Sequence, residues 1–298
     1  MSSSHLAREV ATQPADWARA AERAPDLRHI LPQEGERVAT IGCGTSWFMG
    51  QAYASLRESA GQGVTDAWSA SDHRLARGYD RAIVICRSGT TTEVCSVIDD
   101  LHSSGTPFVS FVATPGTPVA DGSTDLVLMD DVDEQSVVQT RFATTTLALL
   151  RASLGEDLST AIDQANAVLA EDEDSALAGL LDVDQVTFLG TGWTVGVAHE
   201  AALKLRESAQ FWAESYPAME YRHGPISIAT TGRAVWAFGA VPDELEQQVR
   251  ATGAHWEHRE ADAMAELVRL HRLCMARARN AGLDPDAPRH LTRSIVLA

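Results

Sequence analysis

The chain has 298 residues, of which 45% are hydrophobic and 22% charged, and its formal net charge is −17. That composition is globular rather than disordered or fibrous, and no apolar run approaches the roughly 18 residues that span a bilayer. A surface so negative repels nucleic acid and anionic lipid, which excludes both as bulk partners.

Taken in chain order, residues 1–30 read as a helical segment that packs on the core. The run ERVATIGCG, Glu36 to Gly44, reads as a strand ending in a Gly-x-Gly turn, and an Ala-rich amphipathic helix follows to Ala60. RAIVICRSG (81–89) reads as a buried strand and turn, and TTTEVCSVIDDLHSSG as a helix. TPFVSFVAT and TDLVLMD read as further strands. Residues 140–181 read as helices that join or brace two halves. The second half starts again with a strand and Gly-x-Gly turn, DQVTFLGTG, and an Ala-rich helix. RAVWAFGAV (strand), DELEQQVRATG (helix) and AHWEHRE follow. Alternation of this kind predicts parallel sheets wrapped by helices.

Five residues occur twice. LRESA is Leu56 to Ala60 and again Leu205 to Ala209, and each copy closes the helix behind a Gly-x-Gly turn. Gly42 to Gly190 is 148 positions and Leu56 to Leu205 is 149. That is too long for a solenoid unit and predicts two copies of one domain. The expected boundaries are a helical segment 1–30, a first domain 31–150, a helical connector 151–180, and a second domain with a C-terminal tail, 181–298.

Open α/β sheets bind ligands at the carboxyl ends of their strands. Two loops in the first half lie there, Cys43-Gly44-Thr45-Ser46 and Arg87-Ser88-Gly89-Thr90-Thr91-Thr92. Both run into a helix, and backbone donors, hydroxyls and Arg87 together suit a phosphate. The same residues read equally well as helix caps. Neither loop is a Walker loop, and Trp47 stands where a dinucleotide fingerprint needs glycine. In the second half, Glu200, Lys204 and Glu207 share one helical face. Taken alone, Glu200 and Lys204 read as a surface ion pair. Lys204 is the only lysine among 24 basic residues. An arginine-writing genome accounts for most of that bias, yet lysine, unlike arginine, can give up its proton. Downstream, AESYPAMEYRHGPIS reads as irregular chain carrying Glu214, Glu220 and His223. Four scattered cysteines (Cys43, Cys86, Cys95, Cys274) have no metal-site or disulfide-framework spacing. The N-terminus has no apolar signal core, so a reducing cytoplasm is the expected location.

The ordered set REVATQP, CGTS, CRSGTTTE, SVVQTR, HEAALKLRES, AESYPAMEYRHGPI and APRHLTRS resembles the sugar isomerase (SIS) domain family. It is most similar to the isomerase half of glutamine–fructose-6-phosphate transaminase and to phosphosugar deaminases and deglycases. The resemblance implies two tandem SIS domains, each a flavodoxin-like three-layer α/β sandwich with a parallel sheet flanked by helices. It implies a 6-phosphorylated sugar or amino sugar as ligand, held by Ser46, Ser88 and Thr91 with the Cys86 and Arg87 backbone. Gly44, Thr45, Val137, Gln139 and Arg293 would line the sugar. Glu207 would move a proton between C1 and C2, His223 would assist ring opening from the neighbouring subunit of a homodimer, and Lys204 would lie near the sugar. No metal or other cofactor is implied.

Three departures from the transaminase shape the expected activity. No glutamine-hydrolysing segment precedes the repeat, so glutamine independence is expected. Arg293 replaces the lysine that forms a Schiff base, and Arg87 replaces a neutral amide. The expected enzyme releases an amine from a 6-phosphorylated amino sugar or sugar–amine conjugate. The alternatives are an aldose–ketose phosphosugar isomerase and, from another class, a non-catalytic sugar-phosphate sensor.

Overall fold

The computed structural model describes residues 4–297. Its elements run α1 (His5–Leu27), β1 (Val38–Gly42), α2 (Thr45–Ser59), β2 (Thr65–Ser69), β3 (Arg81–Ile85), α3 (Thr92–Ser104), β4 (Phe108–Val112), α4 (Pro118–Gly122), β5 (Asp125–Leu128) and α5 (Arg141–Ser153). The second half contributes α6 (Ser159–Ala170), α7 (Glu173–Ala176), β6 (Gln185–Gly190), α8 (Thr194–Ala209), β7 (Ala213–Pro217), β8 (Arg233–Phe238), α9 (Leu245–Ala251), β9 (His255–His258) and α10 (Ala263–Asn280). Among the described residues no helix is long and apolar enough to cross a membrane.

Two parallel sheets result. The first has strand order β2-β1-β3-β4-β5 and the second β7-β6-β8-β9. In both, the leading strand sits one place in from the edge, so the order reverses beside it, between β1 and β3 and between β6 and β8. The central strands are covered on both faces by helices and accordingly read as near-continuous apolar runs: every residue of β1, β4 and β6 is buried. The edge strands β2 and β7 are mostly half-exposed. Neither was read as a strand from the sequence, and β7 runs through the stretch expected to be irregular. An edge strand is defined by its neighbour's hydrogen bonds, here Val38 opposite Thr65 and Val186 opposite Ala213, and not by its own periodicity.

The repeated glycines have a steric reason. A Cβ on Gly42 would stand 2.7 Å from Ser46 Cβ, and one on Gly190 would stand 2.3 Å from the Thr194 carbonyl oxygen. The strand turns into the helix too tightly for any side chain, in both copies.

The chain divides into two compact units. The first-sheet unit holds Ala15–Gln135, Gln139–Leu158 and the chain from Thr292 onward. The second-sheet unit holds the chain up to Pro14, Ser136–Val138 and Ser159–Leu291. This differs from the expected boundaries in three respects. The N-terminal helix is shared between the units. The tail belongs to the first-sheet unit rather than the second, because Arg293 and Ser294 hydrogen-bond there. The expected connector is not a linker. From Ser159 on it is part of the second-sheet unit, where α6 packs on α10 and Arg272 Nη2 donates to the Glu171 carbonyl at 2.7 Å.

Candidate active site

In the first-sheet unit, the loops after β1 and β3 both lie at carboxyl ends of strands, at the reversal of strand order. Gly44 caps α2 with φ 52° and ψ −122°, a conformation that only glycine adopts without strain. It turns Thr45 and Ser46 into the first turn of α2, both buried. Neither hydroxyl makes a hydrogen bond among the described residues. Gly89 has φ +67°, and a Cβ there would stand 1.9 Å from Thr117 Oγ1. The turn lays Ser88, Thr90 and Thr91 around a common point. Ser88 Oγ lies 3.4 Å from Thr91 Oγ1 and 3.9 Å from Cys86 Sγ, and it accepts from the Thr90 amide at 3.3 Å. Thr91 is the residue before α3 yet makes no side-chain cap bond. These hydroxyls face one another rather than the helix ends.

The tail supplies the atom they converge on. Ser294 Oγ accepts from Ser88 Oγ at 3.1 Å and from Thr90 Oγ1 at 2.9 Å, and lies 3.3 Å from Thr91 Oγ1. The Thr92 amide, at the N-terminus of α3, donates to the Ile295 carbonyl at 3.1 Å. Three hydroxyls focused on one oxygen at a helix N-terminus form the donor set that an anion requires.

Arg87 is placed differently from the charged phosphate donor that its loop position predicts. Its side chain is buried, and Nη1 pairs with Glu134 Oε2 at 3.1 Å, while Nη2 donates to the Arg293 carbonyl at 3.2 Å. Glu134 in turn accepts from the Thr140 and Arg141 amides at 2.6 and 2.8 Å, at the start of α5. Arg293 pairs with Asp133, donates to the Glu134 carbonyl, and reaches Thr114 Oγ1 at 3.4 Å. Both arginines therefore clamp the loop and the tail together. Gln139, an expected sugar-site residue of this unit, keeps Oε1 buried with no hydrogen-bond partner among the described residues. Val137 falls in the second-sheet unit. It follows Ser136, whose hydroxyl is 2.5 Å from Glu9 Oε2 and 2.7 Å from the Val138 carbonyl.

In the second-sheet unit, α8 presents Glu200, Lys204 and Glu207 along one face, as their spacing predicts. The pair is not a surface bridge, however. The Lys204 side chain is 1% exposed and Glu200 2%, with Nζ 3.6 Å from Glu200 Oε1. Lys204 also donates to Glu207 Oε2, and the Glu207 side chain remains 20% exposed. A buried ammonium thus holds one oxygen of a carboxylate that still reaches solvent. Behind Lys204 sits His271 on α10, 3.1 Å from Gln13 Nε2 through Nδ1. Burial pushes His271 down to about 3, with a further push from the Lys204 charge, so the ring is neutral. His223 lies in a short 3-10 turn (Glu220–His223) and is exposed. Its ring makes no hydrogen bond or ion pair among the described residues. The structure therefore brings Lys204 and Glu207 together and leaves His223 outside that cluster.

No family model matches the chain. Over 88% of its length it is 27% identical to a glutamine–fructose-6-phosphate aminotransferase [isomerizing] of Symbiobacterium thermophilum, covering 52% of that protein. A second such protein, of Sulfurisphaera tokodaii, is 25% identical over 89% of the chain and 51% of its own length. The chain spans about half the length of the curated relatives it matches. It is homologous to the sugar isomerase (SIS) domain proteins. The SIS fold is also that of the glucosamine-6-phosphate deaminase of Thermotoga maritima, with TM-score 0.86 and 22% identity, covering 99% of this chain and 100% of that one.

The loops that follow β1 and β6 differ in what they hold. The counterpart of Ser46 is Thr194, 148 positions on. Its Oγ1 accepts from the Thr191 amide at 2.9 Å and lies 2.8 Å from the Phe238 carbonyl. The loop after β6 is filled from within, whereas in the first-sheet unit Ser88, Thr90 and Thr91 meet Ser294 of the tail. Sequence reasoning missed Glu134, Ser294, Gln13 and His271. No local pattern marks them, because each acquires its role from a partner at least 47 positions away, apart from Glu134's own bonds to Thr140 and Arg141.

Proposed function

We propose that the chain is a phosphosugar-processing SIS enzyme, built as two tandem SIS domains, that releases an amine from a 6-phosphorylated amino sugar or sugar–amine conjugate. The observation that carries this reading is the Lys204–Glu207 pair. A proton transfer beside a carbonyl needs a carboxylate held in one place yet open to a ligand, and a buried lysine with a part-exposed Glu207 meets both needs. Within the first-sheet unit, Ser46, Ser88 and Thr91 form a hydroxyl cradle suited to the phosphate of such a substrate.

In the open form of a 2-amino sugar, Glu207 takes the proton from C2 and returns it to C1; in a 1-amino-1-deoxyketose conjugate it takes the proton from C1 and returns it to C2. The intermediate is a 1,2-enaminol in both cases, and the product is an imine at the carbon that bears the amine. Water from solvent adds to that C=N bond, and the amine leaves as the carbonyl forms. A sugar with no amine would follow the same proton path and end as an aldose–ketose exchange. Amine release is favoured because Arg293 is a permanently protonated guanidinium committed to Asp133 and Glu134, so it carries no imine. His223, exposed on its own chain, serves the second copy of a homodimer.

The test is incubation with glucosamine 6-phosphate and with fructosamine 6-phosphates, following ammonia or amine release. Glu207→Gln is expected to retain ligand binding and lose roughly 10²–10⁴-fold in turnover. Unchanged turnover in that variant would remove Glu207 as the base. Ketose formation without amine release would leave the base in place and assign isomerisation instead.

A further inference from the structure

The hydroxyl cradle of the first-sheet unit is filled by the chain itself. Ser294 Oγ accepts from Ser88 Oγ at 3.1 Å and from Thr90 Oγ1 at 2.9 Å, and it lies 3.3 Å from Thr91 Oγ1. One residue on, the Ile295 carbonyl takes the Thr92 amide at 3.1 Å, a donor of the kind that a helix N-terminus offers an anion. The Leu297 amide then donates to Thr92 Oγ1 at 2.9 Å. A hydroxyl oxygen and a carbonyl oxygen of the tail thus use the donors that two phosphate oxygens would need.

The tail is held in two different ways. Arg293 is anchored by charge. Its carbonyl accepts from Arg87 Nη2 at 3.2 Å, and its guanidinium pairs with Asp133 and donates to the Glu134 carbonyl. Beyond Arg293, burial contributes little. Ile295, Val296 and Leu297 are 53%, 68% and 61% exposed, so little apolar area leaves water. From Ser294 onward the segment rests on neutral hydrogen bonds, each of small net worth beside solvent. A phosphate dianion makes charge-assisted bonds to the same groups, roughly twice as strong, and its charge is favoured at the N-terminus of α3. The same donors cannot serve both.

We infer that the tail is a built-in stopper of the cradle: Ser294 and Ile295 fill it when no ligand is bound, and a phosphate dianion displaces them, with Arg293 as the pivot. The inference rests on the cradle being the phosphate site. The apparent affinity for phosphate is then reduced by the fraction of molecules whose tail is open. A sugar without a phosphate brings no charge that competes for these donors, so the stopper reserves the cradle for phosphorylated ligands.

The test measures binding of inorganic phosphate and of glucosamine 6-phosphate by calorimetry, for the parent, Ser294→Ala and Ser294→Asp. Ser294→Ala removes the competing hydroxyl and is expected to tighten both ligands by about three- to tenfold, the range of one net hydrogen bond. Ser294→Asp puts a carboxylate on the same donors and is expected to weaken both by roughly ten- to hundredfold, the range of a charged one. A residue that merely supports the loop would shift both variants the same way, so shifts of one sign overturn the inference. Hydrogen–deuterium exchange reads the tail directly. Inorganic phosphate is expected to speed exchange of the Leu297 amide, and glucosamine to leave it unchanged. Slower exchange with phosphate would mean that the tail closes over the ligand, and that result, or equal acceleration by glucosamine, overturns the inference. Equal phosphate affinity in all three proteins keeps the cradle and removes the stopper. No phosphate binding in either the parent or Ser294→Ala removes the cradle reading and the inference with it.

Discussion

Lowering the pH attacks the site from behind, through His271. The ring is buried, Nε2 has no hydrogen-bond partner among the described residues, and the Lys204 charge opposes a second cation next to it. Its pKa falls from 6.5 in the unfolded chain to about 3 in the folded one. The neutral ring is the one that folds, so the contribution to stability is complete above pH 6.5 and is lost as pH falls from 6.5 toward 3. The whole gap is worth about 5 kcal/mol at about 1.4 kcal/mol per pH unit. Between pH 7 and pH 5 alone, proton uptake by the unfolded chain removes about 2 kcal/mol. That interval precedes most carboxylate titration; His199, also held down by burial, pulls in the same direction, so the variant is needed to isolate the share of His271. The assay is urea denaturation at pH 7, 6 and 5 for the parent and for His271→Gln. The parent's unfolding free energy is expected to drop by about 2 kcal/mol more than the variant's over that interval. Parallel pH dependence in the two proteins would refute the argument, because it would mean that His271 titrates equally in both states.

Two further substitutions probe the two clusters. Lys204→Met leaves Glu200 buried without its ammonium and is expected to destabilise by roughly 3–5 kcal/mol. Glu200→Gln in the same chain is expected to recover most of that loss, and an unchanged urea midpoint in the single variant would contradict the buried pair. Gly89→Ala forces a left-handed alanine, about 1–2 kcal/mol, and drives Cβ onto Thr117 Oγ1 at 1.9 Å. Lower melting temperature together with weaker binding of a sugar phosphate by calorimetry is expected, and normal affinity would show that the turn does not shape the cradle.

Much of this protein was legible before any coordinates. Buried strands announce themselves as apolar runs, so β1, β3, β4, β6 and β8 fall where the pattern predicts. The doubled glycine turn states the repeat, because tight strand-to-helix turns exclude any side chain. A helix face is also a matter of counting, which is why Glu200, Lys204 and Glu207 line up as their spacing predicts. What counting leaves open is depth. Lys204 and Glu200 read as an exposed pair, and only the packing of α10 over α8 makes them a buried one. The same applies to Arg87, which the loop pattern offers to a ligand and which Glu134, 47 positions on, takes out of reach. The tail's return to the first-sheet unit depends on Ser294 meeting hydroxyls about 200 positions earlier. Local spacing and sterics belong to the chain itself. Burial and the choice of hydrogen-bond partner belong to the folded molecule, since both depend on which distant segments exclude water from a given side chain.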